Sequence, residues 1–451
     1  MHESESQENL PGAPAPKTGD PSSPKGSDAA SEHLYAVLRN ADFTRYLIGR
    51  FVASLGQQML VVAIDWELYE RTHSALPLAF VGLSLMIPMI LCTLPAGHFA
   101  DTFSRKKIIL VSIFVLFLAS IGLALSSALN APIAWIYVCL AVIGTARTFL
   151  WPASAAFVTS LVSRHQLARA VTFTSGTFQI SSVVGPAACG MVIVLAHHTA
   201  WAVYALNALA SLICFGLVWQ IKHVHKIKPP EPMTVRSLVE GFRFVFDNKI
   251  ILGTLTLDLF AVLLGGAVTL LPIYAKDIFQ VGPSGLGWLR DAMPVGAVIC
   301  AVIIAHRPPL QKAGRTMLWC VAIFGAATIG MGLIIIPTAP WFWLACLLLA
   351  VAGAVDQISV VVRQTLVQIL TPDEKRGRVS AVNSLFIGTS NELGGFRSGF
   401  VAYLFSTTTF LGNANATGAI VSVVSGGIGT ILVVLAVAWL WPEVRKYGKL
   451  A

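Results

Sequence analysis

Apolar residues along this chain come in long blocks separated by short polar connections, from about residue 45 to residue 441. A helix rises about 1.5 Å per residue, so about 20 apolar residues cross the ~30 Å hydrocarbon core of a bilayer. The blocks predict spans over about 45–70, 76–100, 106–128, 132–157, 168–196 and 199–221. Six more follow over about 250–276, 284–306, 315–336, 341–369, 378–408 and 417–441. The expected fold is an all-α polytopic membrane protein of twelve helices.

The connection at 222–249 is the longest inside this array. It holds KPPEP and then an amphipathic stretch, VRSLVEGFRFVF, expected to lie flat on the inner leaflet. Residues 1–40 are rich in Pro, Ser, Gly, Glu and Lys. Such a segment cannot bury enough apolar surface to fold, and it has no apolar stretch of the secretory-signal kind. His33 to Tyr46 is expected to be a short amphipathic lead-in on the membrane surface. The organisation is therefore a disordered tail (1–40), a six-helix bundle (41–221), a linker (222–249), a second six-helix bundle (250–441) and a tail (442–451).

Composition supports this picture. Of 451 residues, 55% are hydrophobic and 12% charged, about half the charged share of a soluble protein. The net charge of +9 is not a nucleic-acid footprint, because the cations sit in connections between apolar blocks. Alternate connections carry them: Arg105, Lys106 and Lys107; Arg164 and Arg169; Lys222 to Lys249; Arg307, Lys312 and Arg315; Lys375, Arg376 and Arg378. The others hold almost none, only Arg71 and Lys276 near helix ends. Cationic connections stay in the cytoplasm, beside anionic lipid, which places both termini there. The seven cysteines show no metal-ligand spacing and read as small core residues. No P-loop, HExxH or GxSxG is present, which argues against ATP as the driver and against hydrolysis.

The connection between the second and third blocks reads LPAGHFADTFSRKKIIL. Gly97 permits close approach of helix ends. Asp101 can pair with a cation or cap a neighbouring helix. Arg105 and Lys106 follow. This pattern resembles the signature of the major facilitator superfamily, although Thr102 and Ser104 stand where that signature usually has a basic residue and a glycine. In the fifth block, GPAACG resembles a motif of proton-exchanging exporters at Gly185, Pro186 and Gly190, with Cys189 replacing a glycine. A Gly-Pro pair also kinks a helix on purely mechanical grounds. The segments 363–400 and 257–290 resemble the bacterial drug and siderophore exporter branch of the enterobactin type. The resemblance covers residues 41–441. It implies two bundles rocking around a mid-membrane path, an inner-membrane location, a monomer, no cofactor, and anchoring of inner helix ends by Arg376 and Arg378.

Charges inside apolar blocks cost at least about 2.5–3.5 kcal/mol each near the bilayer centre, so a functional role is the default reading. Asp65 and Glu67 lie in the outer part of the first span, and Asp258 in the inner half of the seventh. Arg147 lies in the fourth, and Arg290 and Asp291 in the eighth. Asp356 and Arg363 share one face of the tenth, and Glu392 and Arg397 lie in the eleventh. Asp258, Asp356 and Glu392 are the deepest carboxylates and candidates to carry a proton. Asp258 is favoured because its own helix offers no partner. Alternatively, Asp356, Arg363, Glu392 and Arg397 form a structural ion-pair network.

The leading expectation is export of amphipathic small molecules against proton entry. A lysolipid flippase or uncoupled facilitator is a second reading, and a non-transporting membrane sensor a third. The topology is directly testable: single cysteines introduced at 101–107 should label only from the cytoplasmic side of intact cells.

Overall fold

A computed structural model describes residues 35–222, 235–307, 312–407 and 414–448. The tail up to residue 34 and the KPPEP segment lie outside the described residues, as do the side chains of Asp101 and Arg376. The described residues form helices α1 (Ala41–Thr72), α2 (Leu76–Thr102), α3 (Arg105–Ala128), α4 (Ala134–Leu161), α5 (Leu167–Leu195) and α6 (Trp201–Trp219). A short helix α7 (Val235–Asp247) precedes α8 (Lys249–Gly265), α9 (Gly282–Ala305), α10 (Ala313–Gly332), α11 (Ala339–Leu370), α12 (Asp373–Leu404), α13 (Ala414–Leu440) and α14 (Pro442–Lys446). Among the described residues, 11 helical segments are long and apolar enough to cross a membrane. The 32-residue α12 is not one of them. Its middle is rich in Ser, Asn, Thr and Gly and carries Glu392 and Arg397.

The lead-in differs from expectation. Tyr35–Arg39 form a 3-10 turn, and α1 begins already at Ala41. Phe43 and Tyr46 are 0% and 1% exposed, with Tyr46 edge-on to Phe157 of α4. Burial of two aromatic rings draws this segment into the core rather than onto the membrane surface. Asn40 fixes the start. Its Oδ1 accepts from the backbone N–H of Asp42 and Phe43, and its Nδ2 donates to the Leu161 carbonyl at the end of α4. Asn248 caps α8 in the same way, through Ile250 and Ile251.

Packing follows one order twice. From α5 the neighbours run α1, α6, α3, α4, α2; from α12 they run α8, α13, α10, α11, α9. Two seams join these sets, α5 against α9 and α2 against α12. The basic connection ties helix ends together. Arg105 donates to the Ala156 carbonyl at 3.1 Å, and Lys106 to the carbonyls of Trp219 and Ile221 at 2.8 and 2.7 Å. Lys106, at the C-terminus of α6, meets both its open carbonyls and its dipole.

The seventh predicted span is not continuous. After Gly265 the chain passes through short turns at Val268–Leu270 and Leu271–Ile273, then a π turn at Tyr274–Ile278. Gly265-Gly266 weakens the helix, and Pro272 has no N–H to continue the ladder. The Leu264 carbonyl at the break accepts from Arg397 of α12 at 3.0 Å. The same guanidinium reaches the Ser422 carbonyl at 3.2 Å and Ser425 Oγ at 3.1 Å.

The amphipathic helix α7 packs part of its apolar face on the protein. Phe242, Phe244 and Val245 pack against Ile251, Val379, Val382 and Phe386, while Val239 and Phe246 remain exposed. Glu240 pairs with Arg378 at the start of α12. Protein therefore covers much of the face expected to meet lipid.

Arg397→Leu removes three charge-assisted hydrogen bonds, each worth about 1.5–3 kcal/mol. It should destabilise the protein by roughly 3 kcal/mol or more, read as a lower unfolding temperature in detergent, with Arg397→Lys in between.

Candidate functional site

Cross-seam hydrogen bonds and ion pairs gather toward one end of the molecule, around the 73–75 and 279–281 turns. Tyr69 donates to Asp277 at 2.5 Å. Lys276 pairs with Glu70 at 2.6 Å, and Asn415 donates to the His73 carbonyl at 2.7 Å. Deeper in, Asp65 of α1 pairs with Arg290 of α9, both largely buried. Glu67 turns instead to Arg71 of its own helix at 3.2 Å.

The Gly-Pro motif sits between the same helices. A Cβ on Gly185 would stand 2.5 Å from Gln58 Cβ of α1, and one on Gly190 2.5 Å from the Pro283 carbonyl oxygen of α9. On the facing helix, a Cβ on Gly287 would stand 2.8 Å from the Pro186 carbonyl. These are closer than side-chain contacts allow, so Gly190 and Gly287 permit backbone-to-backbone packing at the α5–α9 seam, and Gly185 close packing of α5 on α1.

The structure sorts the interior charges differently from the sequence. Asp258 finds a partner in another helix, Arg363 of α11, and the arginine is 3% exposed. Arg397 bonds carbonyls and a serine. The expected network of Asp356, Arg363, Glu392 and Arg397 is therefore not formed among the described contacts, because Arg363 and Arg397 are both occupied elsewhere. Asp356 and Glu392 have no ion-pair partner among the described residues.

One basic residue of the other helix set lies near Glu392. Arg147 lies in the middle of α4 and is exposed. It interacts electrostatically with Glu392 of α12 and with Arg50 of α1, so it points into the space bounded by those helices. Arg147, Trp151 and Ala155 follow at four-residue steps, on one helix face, and all are exposed. Trp135, Val138 and Val142, also exposed, lie on the opposite face. The sequence reading passed over Arg50, which stands close to the predicted start of the first span. It passed over Trp151 as well, for which no local signal separates cavity from lipid.

The gating motif is only partly visible. Gly97 lies within α2, and Arg105 and Lys106 serve as the helix-end ties described above. Arg378 reaches α7 rather than α11. Among the described residues, no three His, Cys, Asp or Glu gather as metal ligands.

Long apolar helices packed as two similar sets, with charged side chains in the interior between them, define a multi-pass membrane transporter. The chain belongs to the Major Facilitator Superfamily, whose sequence pattern matches residues 46–395. It is 27% identical over 348 residues to Enterobactin exporter EntS from Shigella flexneri, covering 75% of this chain and 80% of that protein. In fold it is similar to the nucleoside transporter NupG (TM-score 0.67, 15% identity, 90% of this chain and 99% of that one). It is also similar to an inward-facing bacterial homologue of the iron transporter ferroportin (TM-score 0.65, 16% identity, 90% and 99%). Members of this family move solutes, are not enzymes and need no cofactor. The protein is a multi-pass component of the inner membrane.

Losing one partner of a buried pair costs roughly 3–5 kcal/mol, because a charge is stranded. Asp258→Asn should therefore lower the unfolding temperature strongly, and adding Arg363→Met should recover much of the loss. Simple additivity of the two changes would mean that the pair is not structural.

Proposed function

We propose that this protein exports amphipathic small molecules, siderophore-like compounds among them, by alternating access coupled to proton entry. The observation that carries the reading is the gathering of the cross-seam ties of Asp65, Tyr69, Glu70 and His73 at one end. A transporter closed at that end and free to part at the other is in one of the two states that rocking requires. In this reading twelve helices span the membrane, with α12 as the polar eleventh span. Residues 41–221 and 250–441 form the two bundles, and both termini are cytoplasmic. The closed end is then the outer one, and the protein works as a monomer.

Among the candidate carboxylates, Glu392 fits the coupling role best. A carboxylate that meets a cation in one state and not in the other holds its proton differently in the two. Glu392 and Arg147 belong to opposite bundles, so rocking changes their separation. Asp356 is the second choice, on the same wall. Asp258 is tied to Arg363 inside one bundle, where rocking changes little. Asp65 and Arg290 serve as the outer latch. Relatedness to enterobactin exporters supports the outward direction.

The test is efflux of a fluorescent dye from proteoliposomes with an imposed pH gradient. Gradient-dependent efflux is expected, with Glu392→Gln reducing that dependence by about tenfold or more, a loss of roughly 1.4 kcal/mol of coupling. Efflux indifferent to the gradient removes proton coupling. Movement of a fluorescent lysolipid without any gradient supports a flippase instead.

A further inference from the structure

The two helix sets carry opposite charges at equivalent positions. Arg50 stands ten residues after the N-cap Asn40, and Asp258 ten residues after the N-cap Asn248. Arg147 stands fifteen residues before Val162, the C-cap of α4, and Asp356 fifteen before Thr371, the C-cap of α11. These helices correspond in the repeated packing order, α1 with α8 and α4 with α11. The first set thus offers two arginines where the second offers two aspartates. Arg363 neutralises Asp258, but neither Arg50 nor Arg147 has an ion pair among the described residues.

We propose that this interior selects organic anions that carry their charge beside an aromatic ring, held by Arg50 and Arg147 and stacked on Trp151. The inference rests on the transport reading above and names the class of solute. The two walls differ in kind. An arginine keeps its charge in any protein setting, whereas a carboxylate can take up a proton and become neutral. The fixed charge of the space is therefore positive, and Asp356 and Glu392 offset it only when ionised. Guanidinium groups bind carboxylate and related planar anions through paired hydrogen bonds. Trp151, one helical turn from Arg147 and 71% exposed, supplies an apolar face beside the charge. Glu392, across from Arg147 and electrostatically coupled to it, competes with the solute for the same cation.

The test is equilibrium binding to the full chain in lipid nanodiscs, without any gradient, so failed coupling leaves its outcome untouched. The probes are 2-naphthoate, the uncharged 2-naphthamide of nearly equal size, and the cation ethidium. Saturable 2-naphthoate binding is expected, with the amide and ethidium weaker by about tenfold or more, the loss of one charge-assisted hydrogen bond. Arg147→Gln and Arg50→Gln should each weaken 2-naphthoate by a similar factor, Arg147→Lys by less, and Trp151→Leu should weaken it too. Glu392→Gln, which removes the competitor, should tighten it, and this variant serves if the arginine variants fail to fold. Equal binding of the amide or ethidium overturns the proposal. So does no binding of 2-naphthoate, undiminished affinity in the folded arginine variants, or no tightening in Glu392→Gln. Gradient-driven efflux of a neutral dye would then still stand by itself.

Discussion

Hydrocarbon offers no water to a charge or to an open carbonyl, and this one condition organises the molecule. Each polar group inside the helix array must be answered by another part of the chain. The broken α8 leaves the Leu264 carbonyl open, and Arg397 answers it from α12. Asp258 is answered by Arg363, and the last carbonyl of α6 by Lys106. Once these are accounted for, the charges still without a close partner are few. Arg50, Arg147, Asp356 and Glu392 are among them, and they come from both helix sets. The same rule that explains the scaffold thereby isolates the candidate residues.

Movement follows from where the ties are. Salt bridges and hydrogen bonds across the seams gather at one end, backed by the close backbone packing of Gly190 and Gly287. Inside each set packing is continuous, and the second also holds the Asp258–Arg363 pair, so each set tilts as a body more readily than it deforms. Interior charges borne by opposite sets change their separation in such a tilt, while pairs within one set do not.

Much of this architecture was legible in the sequence. Long apolar blocks and the alternation of cationic connections gave helix positions within a few residues, because bilayer thickness and topogenic charge act locally on the chain. Partnerships were not legible. Nothing near Asp258 points to Arg363, more than a hundred residues away, and the mutual attraction of Asp356, Arg363, Glu392 and Arg397 looked plausible only because the helices were considered in isolation. The break in the seventh span was written in Gly265-Gly266 and Pro272, yet each is tolerated inside membrane helices, so composition alone did not decide it. The protein partners of α7 were not legible for a related reason: an amphipathic helix needs an apolar surface, and sequence does not say which residues provide it. Arg50 escaped notice because a cation near a helix start is ordinarily topogenic.

Asn40 has a further consequence. A single amide holds the first turn of α1 with its oxygen and the last carbonyl of α4 with its nitrogen. Two helix ends far apart in the chain are thereby riveted, so a displacement of one carries the other. Asn248, its counterpart, grips only the helix it begins among the described residues. The helix ends of the first set are thus joined by one side chain, whereas those of the second are joined through the segment after α13, where Ala313 N–H donates to the Gly448 carbonyl at 3.0 Å and Lys249 pairs with Glu443 at 3.5 Å.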